Sequence, residues 1–234
     1  MARSEPIRNT YEDFPDELKE TLKESNIVKG QRPRLWPTRD VLLHNHEWHL
    51  RFLREGVLQP RNFILPFPYT PSRAVWSEAR RTQLRNLHIL SRDPQEVLLL
   101  RTLTDPYVYS SSITIVEDEN GDVARLTLCN LEDNMTDPAI PKGQILAVKQ
   151  PCWSPAPEGS FHIRVDHPSD VVTLDSRDDM VPSSWKENLE ISGTKAAADW
   201  KREGDMLFLK KKFRSALDRC ALHMHHDRAT TDIR

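Results

Sequence analysis

The chain has 234 residues, of which 38% are hydrophobic and 29% charged, and its formal net charge is −2. This length is enough for two small folded units, and the composition is that of a globular protein rather than of a disordered one. The balanced charge favours no class of partner for the whole chain, but residues 96–175 carry 13 acidic against 5 basic side chains and form an acidic stretch.

The first 95 residues are predicted to contain an arm and a helical lead-in. Residues 1–37 are polar and interrupted by four prolines, which predicts a mobile arm with one short helix at about residues 15–24. Residues 38–95 are predicted to be a helical lead-in that includes a proline-rich linker at 57–72.

Two helices are predicted within this lead-in. The first runs from Thr38 or Asp40 to about Glu55, because its apolar residues recur at helical spacing and Gly56 is placed to end it. The second is expected to begin at Ser72, after the linker. It would contain Val75, Trp76, Leu84 and several arginines.

An acidic antiparallel β domain is predicted at 96–180. Short apolar or alternating runs separated by turn residues are typical of the strands of a small barrel or sandwich. The strongest signal is Asn120-Gly121 between two such runs, which predicts a β hairpin. The predicted strands are 97–103, 112–116, 123–129, 144–149, 161–165 and 171–174.

The last part of the chain is predicted to comprise a hinge at 181–195, a tetratricopeptide-like (TPR-like) helical hairpin at 196–224 and a disordered tail at 225–234. Gly204 and Ala216 are small where the two helices of such a hairpin cross, and larger residues fill the space around the crossing. Those larger residues are Trp200, Leu207, Phe208, Phe213 and Leu217. An ordinary amphipathic hairpin is the alternative, because a single repeat is a short pattern.

Two polar residues on the first helix of this hairpin are candidate groove contacts. Some TPR domains hold the carboxylate end of a peptide with a lysine and an asparagine on that helix. Lys201 stands at the lysine position, whereas Asp205 stands at the asparagine position and its charge would repel a carboxylate. A carboxylate clamp is therefore not expected.

Four segments resemble the region ahead of the repeats in fungal TPR and SET domain-containing proteins. They are LLLRTLTDPY (98–107), TIVEDENGDV (114–123), KGQILAVKQP (142–151) and IRVDHPSDVV (163–172). Val181-Pro182 with Trp185 also resembles the link to the first repeat of that family. The resemblance covers roughly residues 60–224.

This resemblance implies a protein that gathers partners on helical repeats and, in full-length members, carries a SET domain that transfers methyl groups from S-adenosylmethionine to lysine. The Asn-His-Ser-Cys cofactor motif does not occur in the 234 residues, and Asn45-His46-Glu47 is a superficial echo within a helical pattern. We therefore predict an α+β chain that acts as a non-catalytic scaffold, a truncated TPR-containing protein without a cofactor. The alternative is the N-terminal part of a SET-type protein lysine methyltransferase whose catalytic domain lies outside this sequence.

Three clusters of polar residues contain the residue types of metal or catalytic sites, but each has a simpler explanation. Two histidine clusters lack the i, i+4 spacing of a helical metal site and are predicted to be solvated or packing residues. They are His44, His46 and His49, and His223, His225 and His226. Asp166-His167 beside Asp170 suggests a hydrolytic triad, but Pro168-Ser169 indicates an ordinary turn.

A second alternative function is single-stranded nucleic-acid binding by an OB-like barrel, through aromatic and basic side chains. The candidates are Tyr107, Phe161, Arg125, Lys149 and Arg164. The acidic balance of residues 96–175 opposes phosphate binding, so nucleic acid is not the expected partner. A further basic set, predicted to be the solvated face of a helix, comprises Arg73, Arg80, Arg81, Arg85 and Arg92.

The expected partners are other proteins that bind the helical hairpin, and the exposed hairpin also allows self-association. No membrane association is expected, because no run of about 18 apolar residues occurs. Cys129, Cys152 and Cys220 are widely spaced without a Cys-x-x-Cys pair, which argues against a disulfide framework and fits a reducing compartment. A cytoplasmic or nuclear location is therefore expected.

Overall fold

The structure, a computed structural model, describes residues 16–57, 69–109, 111–131, 138–156, 159–176, 178–186 and 197–209, together with 216, 217 and 220. The chain divides into two compact units, the first drawn from residues 1–131 and 140–174 and the second from 132–139 and 175–234. The first unit contains two helices and nine strands, so the predicted α+β class is confirmed.

Two α-helices precede the strands. Helix α1 spans Asp16–Ile27 and helix α2 spans Arg39–Arg54, close to the helix predicted from Thr38 or Asp40 to about Glu55. The chain leaves α2 through Gly56, whose φ of +72° is a left-handed conformation that glycine adopts without strain. Sequence periodicity therefore located this helix correctly.

The predicted second helix at Ser72 is wrong. The chain instead forms two short 3₁₀ turns, Trp76–Glu78 and Leu84–Asn86, separated by strand β1 at Arg80–Thr82. Distant acceptors hold the backbone there: the Arg80 N–H donates to the Gln95 carbonyl, and the Leu84 N–H donates to the Asp118 carboxylate. These bonds replace the local i to i−4 bonds that a helix needs.

The nine described strands, β1 included, form one mixed sheet. In path order, its strands run β7-β8-β5-β4-β2-β6-β9, while β1 pairs with β2 and β3 pairs with β4. Pairing is parallel between β1 and β2 and between β5 and β8, and antiparallel elsewhere. The strand bounds are β2 Glu96–Thr102, β3 Tyr107–Val108, β4 Ser112–Glu117, β5 Val123–Leu128, β6 Ile145–Lys149, β7 Trp153–Pro155, β8 Phe161–Val165 and β9 Val171–Leu174.

This sheet closes on itself as a barrel. Strands β6 and β7 are consecutive halves of one bent strand, with the bend at Gln150, where φ is +42°. Strands β8 and β9 are likewise halves of one strand, bent at the 3₁₀ turn Pro168–Asp170. The first bent strand pairs with the second along both halves, since β6 pairs with β9 and β7 with β8. The path therefore begins and ends with the same pair of bent strands, which closes the sheet.

The barrel then has five long strands, numbered here along the chain: β2 is 1, β4 is 2, β5 is 3, β6 with β7 is 4, and β8 with β9 is 5. Around the barrel, neighbouring strands follow the closed order 1-2-3-5-4-1. A small five-stranded barrel of Greek-key type is the architecture of the OB fold. The prediction of a small β barrel or sandwich is thus resolved in favour of the barrel, whereas the purely antiparallel pairing was wrong, because β5 lies parallel to β8.

The barrel interior is apolar and closely packed. Alternate residues of each strand point inward, as the two-residue repeat of a β-strand requires. The side chains with 0% exposure include Leu98, Leu100, Val116, Leu126, Leu146 and Ile163.

The hairpin predicted from Asn120-Gly121 joins β4 to β5 and is confirmed. Its loop is organised by Asp118, whose buried carboxylate accepts the N–H groups of Asn120 and Asp122 as well as that of Leu84. Burial raises the pKa of Asp118 above its ordinary value. The carboxylate thereby ties the hairpin to the 3₁₀ turn that precedes β2.

The second unit contains the 3₁₀ turn Ser183–Trp185 and helix α3, Ala197–Leu209. Helix α3 begins one residue after 196, where the helical hairpin is predicted to begin. Of the predicted second helix the structure describes only residues 216, 217 and 220, all helical, so a TPR hairpin is not shown. The predicted tail at 225–234 lies outside the described residues. Among the helices described, none has the length and apolar character needed to cross a membrane.

Candidate functional site

Helix α2 lies on the outer face of strands β4 and β5. Directly paired residues of antiparallel strands point to the same side of a sheet. The residues opposite the barrel core are therefore Ile113, Ile115 and Glu117 on β4 with Thr127, Arg125 and Val123 on β5. Helix α2 contacts β3, β4 and β5, and Ile115 of this face is only 1% exposed. In OB barrels that bind oligonucleotides, the corresponding two strands form the ligand face.

The amino-terminal end of α2 is held by a buried carboxylate. Arg39 Nη1 of the helix donates to Glu117 Oε2 at 2.6 Å, and Arg101 Nε of the barrel donates to Glu117 Oε1 at 2.9 Å. Burial alone would raise the pKa of Glu117, but the hydrogen bonds from Arg101 and Arg39 outweigh it and hold that pKa below its ordinary value. Glu117 is thus an ionised bridge between the helix and the barrel.

The middle of α2 is held by His46, which is 2% exposed. Its Nε2 lies 2.8 Å from the carbonyl oxygen of Asp105, so this nitrogen carries the proton and donates. The other ring nitrogen, Nδ1, is buried and has no hydrogen-bond partner among the described residues. Burial lowers the pKa of His46 below 6.5.

Tyr107 of β3 lies under both histidines of this helix face. The His46 ring centroid is 4.9 Å from that of Tyr107, and the His49 ring stacks on the same tyrosine at 5.2 Å with an interplanar angle of 4°. His49 Nδ1 lies 2.7 Å from the carbonyl oxygen of Asn45. The histidines predicted to be solvated or packing residues therefore differ, since His44 is exposed while His46 and His49 pack on the barrel.

The acids and histidine of the suggested hydrolytic triad are structural. His167 Nε2 bonds to the Tyr69 carbonyl at 2.5 Å, Asp166 accepts from Arg164, and Asp170 accepts the Ser72 N–H at 2.9 Å. His167 and Asp170 thus hold the chain at 69–72 against the turn before β9, whereas the Asp166 carboxylate bonds to a near neighbour in the chain. The interpretation as an ordinary turn is confirmed by the 3₁₀ turn Pro168–Asp170.

The aromatic and basic candidates for nucleic-acid binding do not form a free positive surface. Tyr107 is 4% exposed beneath α2, and Phe161 is half-buried. The cations bond within the chain: Arg125 donates to Ser160, Lys149 to the Ser72 carbonyl, and Arg164 to Asp166.

The second basic set does not lie on a helix, so that prediction was wrong. Arg80 and Arg81 belong to β1, and Arg80 pairs with Asp93 and Glu96. The Arg81 side chain lies 4.0 Å from that of Glu119, and Arg85 bonds to both carboxylate oxygens of Asp122. Arg92 stands over the Tyr69 ring with 3.7 Å between the guanidinium carbon and the ring centroid. Arg73 is exposed.

The residues predicted to pack the helical hairpin are split between buried and exposed positions. Gly204 and Ala216 are buried, and Trp200 and Leu207 are half-buried. Phe208 is 61% and Leu217 is 70% exposed, whereas Phe213 lies outside the described residues. Lys201 and Asp205 are exposed. Their proposed roles in packing or binding remain predictions.

The cysteines are free thiols, of which Cys129 and Cys152 are buried. Burial raises the pKa of Cys129 to about 11 and raises that of Cys152 as well. Within the described residues no group of three histidine, cysteine, aspartate or glutamate side chains is placed to hold a metal ion.

Sequence reasoning missed Glu117, Asp105 and the docked role of His46. The sequence did contain a signal for Glu117. It shares the outward face of β4 with Ile113 and Ile115, and an apolar outward face indicates that another element packs on it. Asp105 contributes its backbone carbonyl to His46, and nothing in a sequence pattern identifies such an acceptor.

Comparison with known proteins gives one informative relative. A methyltransferase of the fungus Gibberella zeae is 27% identical over 157 residues, which are 66% of this chain and 22% of the relative. The chain thus matches about a fifth of the relative's length. No family model matches the chain. An OB domain from Methanosarcina mazei aligns with 42% of this chain and 85% of its own length, at 17% identity and a TM-score of 0.29, so the OB assignment rests on strand order.

The relative corrects the predicted function. A non-catalytic TPR scaffold was expected, but the relative that matches two thirds of the chain is named a methyltransferase. This finding favours the alternative of a methyltransferase segment. A TPR or SET domain is not shown by these comparisons.

Proposed function

We propose that this chain is the N-terminal, barrel-bearing part of a longer methyltransferase, of the SET type that the four resembling segments suggest. The methyl-transfer site would lie in polypeptide beyond these 234 residues. The barrel and its docked helix would act as an accessory domain, and the substrates of the whole enzyme would be protein lysines.

The observation that carries this proposal is the size of the match. The 157 aligned residues form most of this chain but only 22% of the methyltransferase of Gibberella zeae. Most of that relative therefore has no counterpart in this chain, and its remaining length leaves ample room for a catalytic domain.

The chemistry of the described residues supports the same assignment. The cofactor motif Asn-His-Ser-Cys is not in the sequence. The nearest echo, Asn45-His46-Glu47, lies within α2, and His46 is bound to the Asp105 carbonyl against the barrel. His167 and Asp170 likewise bond to the distant segment at 69–72, and Asp166 bonds to Arg164.

Two measurements test the proposal. The endogenous polypeptide that contains barrel peptides is expected to exceed the 27.2 kDa of this chain on an immunoblot, and peptides beyond residue 234 should appear by mass spectrometry. The purified longer protein is expected to transfer tritium from S-adenosyl[methyl-³H]methionine to lysine in a protein substrate, whereas the 234-residue chain should give no calorimetric binding of the cofactor. An endogenous protein of about this mass, or saturable cofactor binding by this chain alone, would overturn the proposal.

A further inference from the structure

We infer that α2 is a pH-sensitive latch on the barrel: it covers the outer face of β4 and β5 while His46 is neutral, and protonation of His46 releases it. This inference concerns the barrel unit alone and does not depend on the proposed methyltransferase function.

The position of His46 makes it the centre of the contact. It is the one residue of α2 that is buried, at 2% exposure, and the helix meets β3, β4 and β5. One ring nitrogen donates to the Asp105 carbonyl, and the ring lies against Tyr107. The arrangement uses the neutral tautomer protonated at Nε2.

A second proton on the His46 ring would add to Nδ1. This nitrogen is buried and lacks a hydrogen-bond partner among the described residues, so the new N–H would have no group to donate to. A buried donor without an acceptor destabilises the docked state, and more strongly when the group is charged. Undocking of the helix would expose this nitrogen to water and remove this destabilisation.

The charged and titratable neighbours do not cancel this effect. Glu47 and His49 lie on the same helix, and Asp105 and Tyr107 face His46 from the barrel. The Asp105 carboxylate accepts the Lys142 N–H. On the covered strand face, Glu117 is bonded to Arg39 and Arg101, and Arg125 is bonded to Ser160. Burial is the largest influence on His46 and lowers its pKa in the docked state. The hydrogen bond to the Asp105 carbonyl comes next and raises the pKa, while the smaller influence of His49 lowers it and those of the Glu47 and Asp105 carboxylates raise it.

The sign of the effect follows from linkage. A histidine whose pKa is lower when docked stabilises docking above its free value of about 6.5, and this stabilisation is lost as pH falls below that value. Each unit of difference between the docked and free pKa changes the docking equilibrium by a factor of about ten. Hydrogen bonds from Arg101 and Arg39 hold the pKa of Glu117 below its ordinary value, so loss of this bridge does not account for release of α2 between pH 7 and pH 5.5.

Hydrogen exchange followed by mass spectrometry tests this inference on the full chain. With intrinsic exchange rates corrected for pH, protection of α2 is expected to fall by up to about eightfold between pH 7 and pH 5.5, the limit set by a free pKa of about 6.5. The variant His46→Gln can still donate to the Asp105 carbonyl and does not titrate, so its protection should be the same at both pH values. The matched control His44→Gln changes an exposed histidine of the same helix and should behave as the wild type.

A second readout covers the case in which His46→Gln fails to dock. The ring proton shifts of His46 in the wild-type protein, followed by NMR, should titrate with a midpoint below 6.5. A midpoint at or above 6.5 would overturn the latch, as would pH-independent protection of α2 in the wild type. A fall in protection of the same size in His46→Gln would also overturn it.

Discussion

Replacement of Asp170 by alanine is expected to destabilise the barrel more than any change of a surface carboxylate. Asp170 is fully buried at 0% exposure. Its two oxygens accept from the Ser72 N–H at 2.9 Å and from Gln150 Nε2 at 3.0 Å, and Lys149 Nζ lies 3.8 Å away. This carboxylate joins the segment before β1 to the bend between β6 and β7.

The magnitude follows from the hydrogen-bonding and charged groups that would lose their partner on substitution. Each lost hydrogen bond to a charged acceptor is worth about 1.5–3 kcal/mol. Removal of one partner of a buried ion pair costs about 3–5 kcal/mol, because the other charge stays buried. Lys149 is 11% exposed and keeps its bond to the Ser72 carbonyl, so these costs overlap rather than add. We expect a loss of about 3–5 kcal/mol in the free energy of unfolding.

Urea denaturation followed by tryptophan fluorescence measures this loss. Asp170→Asn should lose less than Asp170→Ala, because its amide oxygen can still accept one of the two bonds. Glu78→Ala removes an exposed carboxylate from a 3₁₀ turn and should change stability by no more than about 0.5 kcal/mol. A loss below about 1 kcal/mol for Asp170→Ala would refute the view that this carboxylate holds the segments together.

Two further predictions concern the covered strand face and its charge. Glu117→Gln should lower stability at neutral pH by about 1.5–3 kcal/mol. Its difference from the wild type should shrink as pH falls below 4.5, because Glu117 takes up a proton in the unfolded chain before it does so in the bridge, whose pKa is lowered. Urea denaturation at pH 7 and pH 3.5 measures both effects, and an unchanged difference would contradict the bridge. A fluorescent oligothymidylate should show no change in anisotropy with the chain at low salt, because Arg125, Lys149 and Arg164 are bonded within the barrel; salt-sensitive binding would contradict this account of the face.

Local patterns in the sequence predicted the elements whose signals are local. The strands at 161–165 and 171–174 agree with β8 and β9 at both ends, and the α2 helix agrees to within two residues. In each case alternation or helical spacing, with nearby turn residues, set the bounds. The failures occur where the structure depends on distant partners. Strands β1 and β7 have three residues each and exist because other strands pair with them.

The orientation of α2 shows a second limit of sequence reasoning. Val41 and Trp48 are among the apolar residues whose helical spacing predicts α2, yet they are 49% and 46% exposed. The buried position is instead His46, a polar residue at which hydrophobic spacing gives no signal. Helical periodicity thus locates a helix, but here the partner surface, with the Asp105 carbonyl and Tyr107, decides which side it buries.

Several polar side chains of the barrel unit join segments that lie far apart in the chain. Arg39 bonds to Glu117, His46 to Asp105, and Ser72 to Asp170. A buried polar group is stable only with its partners in place, so such bonds fix one arrangement of the helix, the linker and the barrel. A catalytic site instead needs polar groups that stay available to a substrate. The use of these groups as joints supports the proposal that methyl transfer takes place in a different part of a longer protein.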